Sequence, residues 1–214
     1  MARVNPTVRV QNSASEEASS HGATRGRPGY SREDVIDAAV REFNQRGYEA
    51  TSMGHVASVL GISKSALYHH ISSKEEILDS AVTRAQDSLD AVVDAATAKG
   101  LTAGEQIREL IFGAIDVLCH DQEAVTLLLR LRGNSELELR ALKRRREFTR
   151  RIMPLIDSAQ SAGEIRTDLD AGVLARLIFG LINSVIEWYE PGGRLSPEEI
   201  ARHAVELVFH GIES

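Results

Sequence analysis

Cysteine is almost missing from this chain: Cys119 stands alone among 214 residues. One thiol cannot build a disulfide framework, and with nothing nearby that makes a thiolate it reads as a small core residue in a reducing compartment. Neither a secretory leader nor an apolar run of roughly 18 residues is present, so the expected setting is cytoplasmic and nucleoid-associated, with no membrane partner. No stretch alternates apolar and polar residues as a half-buried strand would, which leaves an all-α chain. Catalytic constellations are missing too. There is no Gly-rich phosphate loop, no nucleophile elbow and no histidine pair at metal-ligand spacing, since adjacent His69 and His70 diverge by about 100° around a helix. Neither an enzyme nor a metal site is therefore expected. Positive charge is in deficit overall, at net −6, which excludes indiscriminate coating of nucleic acid. Between Arg25 and Lys74 the balance turns slightly basic, so a nucleic-acid footprint there must work by placement.

What is present centres on Thr51 to Ile71, which reads as two short helices around a tight corner. Ser52 caps the first, whose inward face is Met53, Val56, Ala57 and Leu60; Gly61 ends it and Ile62 packs into the corner. Ser63 caps the second, with Ala66 and Leu67 inward and Ile71 closing the apolar side. This is a helix-turn-helix pattern, and its outer residues Lys64, Ser65, Tyr68 and His69 are suited to a major groove about 12 Å wide. An isolated Ser/Lys/His face would merely be solvated; the complete corner is what favours DNA.

The run SKSALYHHISSKEEIL resembles the signature Leu-Tyr-x-His-Phe-x-x-Lys-Glu-x-Leu of TetR-family transcriptional regulators. Leu67, Tyr68, His70, Lys74, Glu75 and Ile77 or Leu78 carry the match, and Ile71 replaces the usual Phe. The resemblance implies that Tyr68, His70 and Lys74 meet the phosphate backbone. With them the expected DNA-binding set is Arg25, Arg27, Thr51, Ser52, Ser63, Lys64, Ser65, Ala66, Tyr68, His69, His70 and Lys74. Arg25 and Arg27 lie on an arm that either enters a minor groove or serves as a solubilising linker.

Three segments follow: a disordered tail over 1–24, a helix-turn-helix DNA-binding head over 25–75, and an effector-binding and dimerisation domain over 76–214. About nine helices are expected. Capping patterns place their starts at Ser31, Ser52, Ser63, Ser73, Thr102, Asp121, Ser135, Asp168 or Asp170, and Ser196, several as boxes closed by an acid three residues on. Pro154 should kink the seventh. The eighth is apolar on more than one face and must be covered on all sides. It either sits wholly in one subunit's core or, as the resemblance implies, pairs with the ninth and their copies in a homodimer through Leu174, Leu177, Ile178, Leu181, Val185, Ile200, Ala204, Leu207 and Val208.

Gly163 to Ala201 resembles the C-terminal half of TetR-type regulators of fatty-acid, steroid and aromatic-acid catabolism, chiefly at Gly163, Arg166, Asp168, Leu169, Trp188, Tyr189 and the run Pro191 to Pro197. That resemblance implies a small-molecule effector, best represented by an acyl-CoA thioester, and a repressor that leaves a pseudo-palindromic double-stranded operator when the effector binds. Phe112, Asp116, Leu127, Arg145, Phe148, Ile152, Asn183 and Trp188 are the expected pocket. The basic cluster Lys143 to Arg146 with Arg150 and Arg151 either meets CoA phosphates or pairs with Glu136, Glu138 and Glu147 on a solvated face. The rival function is a helical ligand-binding or scaffold protein that no longer binds DNA.

Overall fold

Ser31 accepts a hydrogen bond from the Asp34 amide at 3.1 Å, and the Asp34 carboxylate accepts one from the Ser31 amide at 2.8 Å. This closed box starts α1, Arg32–Arg46, and caps of its kind contribute about 1 kcal/mol each. In the structure, a computed structural model describing residues 29–98 and 100–212, nine α-helices and no strand are found among the described residues. The expected tail, and the arm with Arg25 and Arg27, lie outside them.

Ser52 and Ser63 cap α2, Met53–Leu60, and α3, Lys64–His70, as their positions predict. Between the helices Gly61 adopts φ 67°, a left-handed turn that a Cβ would strain, while the Ile62 amide reaches back to the Ala57 carbonyl at 3.0 Å. Leu67 is fully buried and Ile71 nearly so, so the corner closes on the predicted apolar side.

α4, Lys74–Ala98, runs from the head through the body, roughly 37 Å at 1.5 Å per residue. Its predicted box forms only in half. The Ser73 hydroxyl accepts from the Glu76 amide, but the Glu76 carboxylate turns to the Ser72 amide at 2.8 Å and the Arg32 guanidinium at 2.9 Å. That diversion ties α1 to α4.

α5, Ala103–His120, opens with the expected Thr102–Glu105 box. Asp121 does not cap α6, Gln122–Arg130, because its carboxylate takes both arms of the Arg84 guanidinium at 2.8 and 2.9 Å. Ser135 caps α7, Glu136–Ser161. The box partner Glu138 instead accepts from the amides of Arg132, Gly133 and Asn134 at 2.8–3.1 Å. α7 runs past Pro154 to Ser161. Asp170 caps α8, Ala171–Ser184, which tightens to a 3-10 turn over Val185–Glu187, and a Ser196–Glu199 box starts α9, Pro197–Ile212.

α5 is the body's axis, packed against α4, α7, α8 and α9. Gly113 allows its close approach to α4: a Cβ there would lie 2.5 Å from Val92. α1 is stitched to the body at three points along its length. Arg32 meets Glu76 and Ser80, Asp37 meets Arg84, and Asn44 meets Glu123 and Arg130. One continuous apolar core passes through head and body.

Candidate nucleic-acid interface and ligand cavity

On the head, Lys64, Ser65, Tyr68 and His69 are exposed, with Tyr68 at 47%, and no hydrogen bond or ion pair with a described residue engages their side chains. A short helix whose apolar side is used up by the corner has no other way to turn them. Ser52 and Ser63 accept the His55 and Ala66 amides with their hydroxyl oxygens, which leaves each hydroxyl hydrogen able to donate to a phosphate. Ala66 and His70 are partly covered beside this face.

Thr51 departs from expectation. It is 2% exposed, and its hydroxyl donates to the Gly47 carbonyl at 2.9 Å; the chain entering α2 folds it inward, so it braces the α1–α2 turn and cannot reach phosphate. Lys74 is also committed. Its ammonium donates to the Tyr48 carbonyl at 2.8 Å and lies 4.1 Å from the centre of the Tyr48 ring. Tyr48 itself is pushed up to about 12 by burial and by the charges of Glu75 and Glu49. Below the corner, Glu42 is held under the usual carboxylate range, first by its 2.6 Å hydrogen bond with His55. This bond pins α2 to α1, a contact no sequence spacing announced.

In the body a cavity of about 680 Å³ opens among α4 to α8. Its apolar wall includes Leu89, Ala114, Leu118, Val125, Leu128, Phe148, Phe179 and Ile182, with Phe148 and Phe179 packed edge to face at 5.3 Å. Its polar wall includes Arg130, Arg132, Arg145, Arg176, Asn183 and Glu187. The basic run of α7 divides. Arg144 and Arg151 are taken by Asp87, Asp90 and Asp94 of α4, at 2.6–3.0 Å where they meet Asp90. Lys143 stands 3.9 Å from Glu147, and Arg145 turns to the cavity. Such a chamber suits a ligand with an apolar body and an anionic end.

The description of bacterial regulatory proteins of the tetR family matches residues 35–81, and that of the tetracyclin repressor-like C-terminal domain matches residues 100–212. The chain belongs to the TetR family. Among its relatives, the HTH-type transcriptional repressor KstR2 of Rhodococcus jostii is 27% identical over 199 residues, 89% of this chain and 95% of the relative. A TetR-family regulator of Streptomyces coelicolor superimposes with a TM-score of 0.78 at 40% identity, covering 87% of this chain and 94% of that one. AibR in complex with isovaleryl coenzyme A and operator DNA superimposes with a TM-score of 0.71 at 25% identity, covering 83% and 97%. This chain is thus a helix-turn-helix, DNA-binding transcriptional regulator, with a TetR head and a helical TetR body; no helix among the described residues is long and apolar enough to cross a membrane.

Within this TetR body, Arg145, Phe148 and Asn183 line the chamber as expected. Five other expected pocket residues do not. Leu127 and Ile152 are spent in the core, Phe112 packs beside it, Asp116 faces solvent beside His120, and Trp188 is 53% exposed beyond the chamber. Helix register explains Leu127, Ile152 and Phe112, since an inward residue on the right helix can point to a different neighbour, and Asp116, which turns outward, while Trp188 lies past the end of α8. The chamber's arginines from the α6–α7 connection and α8 were not foreseen; their only sequence signal was scattered basic charge. The residues carrying the second resemblance mostly form the α7–α8 and α8–α9 connections.

The dimer expectation also needs correction. Leu174, Ile178, Val185, Ile200, Ala204 and Val208 are buried within their own subunit, because α8 packs on α7 and α9 on α5. Leu177 at 61% and Leu207 at 63% remain open, Leu181 is half-covered, and Val173 at 42% joins them.

Proposed function

We propose that this regulator is a cytoplasmic repressor of a catabolic operon. It binds a pseudo-palindromic operator as a homodimer and releases it when an acyl-CoA thioester occupies the body cavity. The supporting observation is the chamber's two-part wall: apolar residues for an acyl group and arginines, Arg145 among them, for phosphates. The relative solved with isovaleryl coenzyme A and operator DNA supports the same ligand class.

The α3 face carrying Lys64, Ser65 and His69 enters the major groove, while Ser52, Ser63, Tyr68, His70 and Lys74 meet phosphates. Lys74 keeps donors to spare beyond its bond to Tyr48. Val173, Leu177, Leu181 and Leu207 are the apolar strip on which the second subunit closes, setting the heads about 34–36 Å apart or a multiple of that. Effector binding acts only through its preference for one head spacing over another.

The test is a gel shift on DNA upstream of the chain's own gene, followed by titration with straight-chain and ring-derived acyl-CoAs. Retardation that at least one thioester reverses is expected. Retardation that none reverses removes the ligand class, and no retardation at all would favour a protein that has left DNA behind.

A further inference from the structure

A cation withdrawn from water is normally paired, because its lost hydration must be replaced. Most of this body obeys: Arg84, Arg144 and Arg151 each share carboxylates. Arg145, beside Arg144 on α7, does not. It is half-buried in the chamber wall, and no hydrogen bond or ion pair joins its guanidinium to a described residue. Burial, with the like charges of Arg146 and Arg132, pushes its pKa down. Glu187, the carboxylate in the same wall, forms no ion pair with it, and the Oε2 of Glu138 is taken by the amides of Arg132, Gly133 and Asn134.

Arg130 links this wall to the head. Its Nη1 donates to the main-chain carbonyl of Asn44 on α1 at 2.8 Å. Asn44 in turn donates from Nδ2 to the Glu123 carbonyl at 2.9 Å and carboxylate at 2.7 Å, while its own Oδ1 is buried with no partner among the described residues. The joint between α1 and α6 is therefore short of one donor, and a buried acceptor left so costs about 1–3 kcal/mol. Arg130 and Arg132 also line a second hollow of about 420 Å³ between head and body.

We infer that Arg145, Arg132 and Arg130 form a binding site for a phosphate or pyrophosphate ester at the mouth of the chamber, and that its occupancy draws Arg130 away from Asn44. A doubly charged anion cancels the repulsion among the guanidinium groups and accepts their forked donors. The third attachment of α1 to the body then loses its Arg130 bond and keeps only the bonds from Asn44 to Glu123. The identity of the group bearing the phosphates rests on the acyl-CoA reading above; the anion site does not.

Thermal unfolding of the full chain is followed in inorganic pyrophosphate and in chloride of equal ionic strength. Pyrophosphate at a hundredfold excess over its Kd raises Tm by roughly 5–10 °C over chloride. Arg145→Gln abolishes the rise while the free protein melts no lower than wild type, and Arg145→Lys, which keeps the charge without the fork, retains part of it. Should the Gln variant not fold, as its own melt shows, the Lys variant carries the comparison. In a gel shift, pyrophosphate weakens operator binding by wild type by about fivefold or more, and Arg130→Gln loses this response.

Pyrophosphate acting no differently from chloride, or Arg145→Gln responding like wild type, overturns the site. An acyl-CoA shift that survives Arg145→Gln overturns it too, and leaves the acyl-CoA reading standing. A pyrophosphate response with no acyl-CoA response keeps the site and discards that ligand class.

Discussion

Two basic surfaces of this protein look alike in the sequence and differ in the fold. The outer face of α3 presents Lys64, Ser65, Tyr68 and His69 uncommitted, whereas α7 gives up Arg144 and Arg151 to a row of aspartates on α4. Charge in a sequence is only supply. Availability depends on whether another helix carries opposite charge at the facing register. α3 is short and its neighbours in the head offer it no carboxylate; α7 lies along a helix with acids at Asp87, Asp90 and Asp94. The surface left open is the one that can meet a partner outside the chain.

The most damaging way to break the contrast is to undo the corner that holds α3 outward. Leu67→Ala removes a fully buried side chain and is expected to cost about 2–5 kcal/mol, read by denaturant unfolding, with operator binding lost alongside. Next come the two surfaces themselves. Tyr68→Ala weakens binding to all DNA sequences alike, and Lys64→Ala changes sequence preference, each by about 1–3 kcal/mol with the melting temperature held. Lys143→Ala on α7 leaves operator affinity unchanged. Equal losses from Lys64 and Lys143 variants would erase the distinction.

Thr51→Val sharpens the boundary of the DNA face. Deleting its buried hydroxyl costs about 1–2 kcal/mol of stability, while the salt dependence of operator binding stays as it was, since no phosphate contact is lost. On the paired side, Asp90→Asn leaves Arg144 and Arg151 each short of a carboxylate. The pairs are partly exposed and therefore screened, so the expected loss is about 1 kcal/mol, a fall of roughly 2–4 °C in Tm.

The smallest effect is a dependence on acid. Glu76, joining the start of α4 to α1, is lowered from 4.5 to about 2, first by the Ser72 hydroxyl and then by Arg32. A depressed carboxylate stabilises the fold fully above its ordinary value, and that contribution drains away as pH falls from about 4.5 toward 2. Glu76→Gln should flatten this part of a stability-against-pH curve; an unchanged slope would show that the carboxylate does not join head to body in solution.

The helix starts were readable because a cap is local: a hydroxyl, three residues and an amide suffice, as at Ser31, Ser52, Ser63, Thr102 and Ser196. The same locality explains the boxes that failed. Asp121 was taken by Arg84 and Glu76 in part by Arg32, partners that only tertiary packing brought within reach, whereas Ser72 drew Glu76, and the amides of residues 132–134 drew Glu138, from within a few residues. The pocket was legible in part, at Arg145, Phe148 and Asn183, because helix identity was right while the register of each helix against its neighbours was unknown. The dimer strip was over-read for the same reason, with Leu177 and Leu207 open but Leu174 and Ile178 turned inward.

Sequence alone determined an all-helical chain with a corner whose outer side chains face away from its core, since period, caps and turn glycine act within a few residues. The tertiary structure decided which charges cancel, which arginine stays unpaired beside the chamber, and where α1 is fastened to α6. Those outcomes depend on atoms brought together from distant parts of the chain, and the free energy of a charge is set by whatever stands within a few ångströms of it.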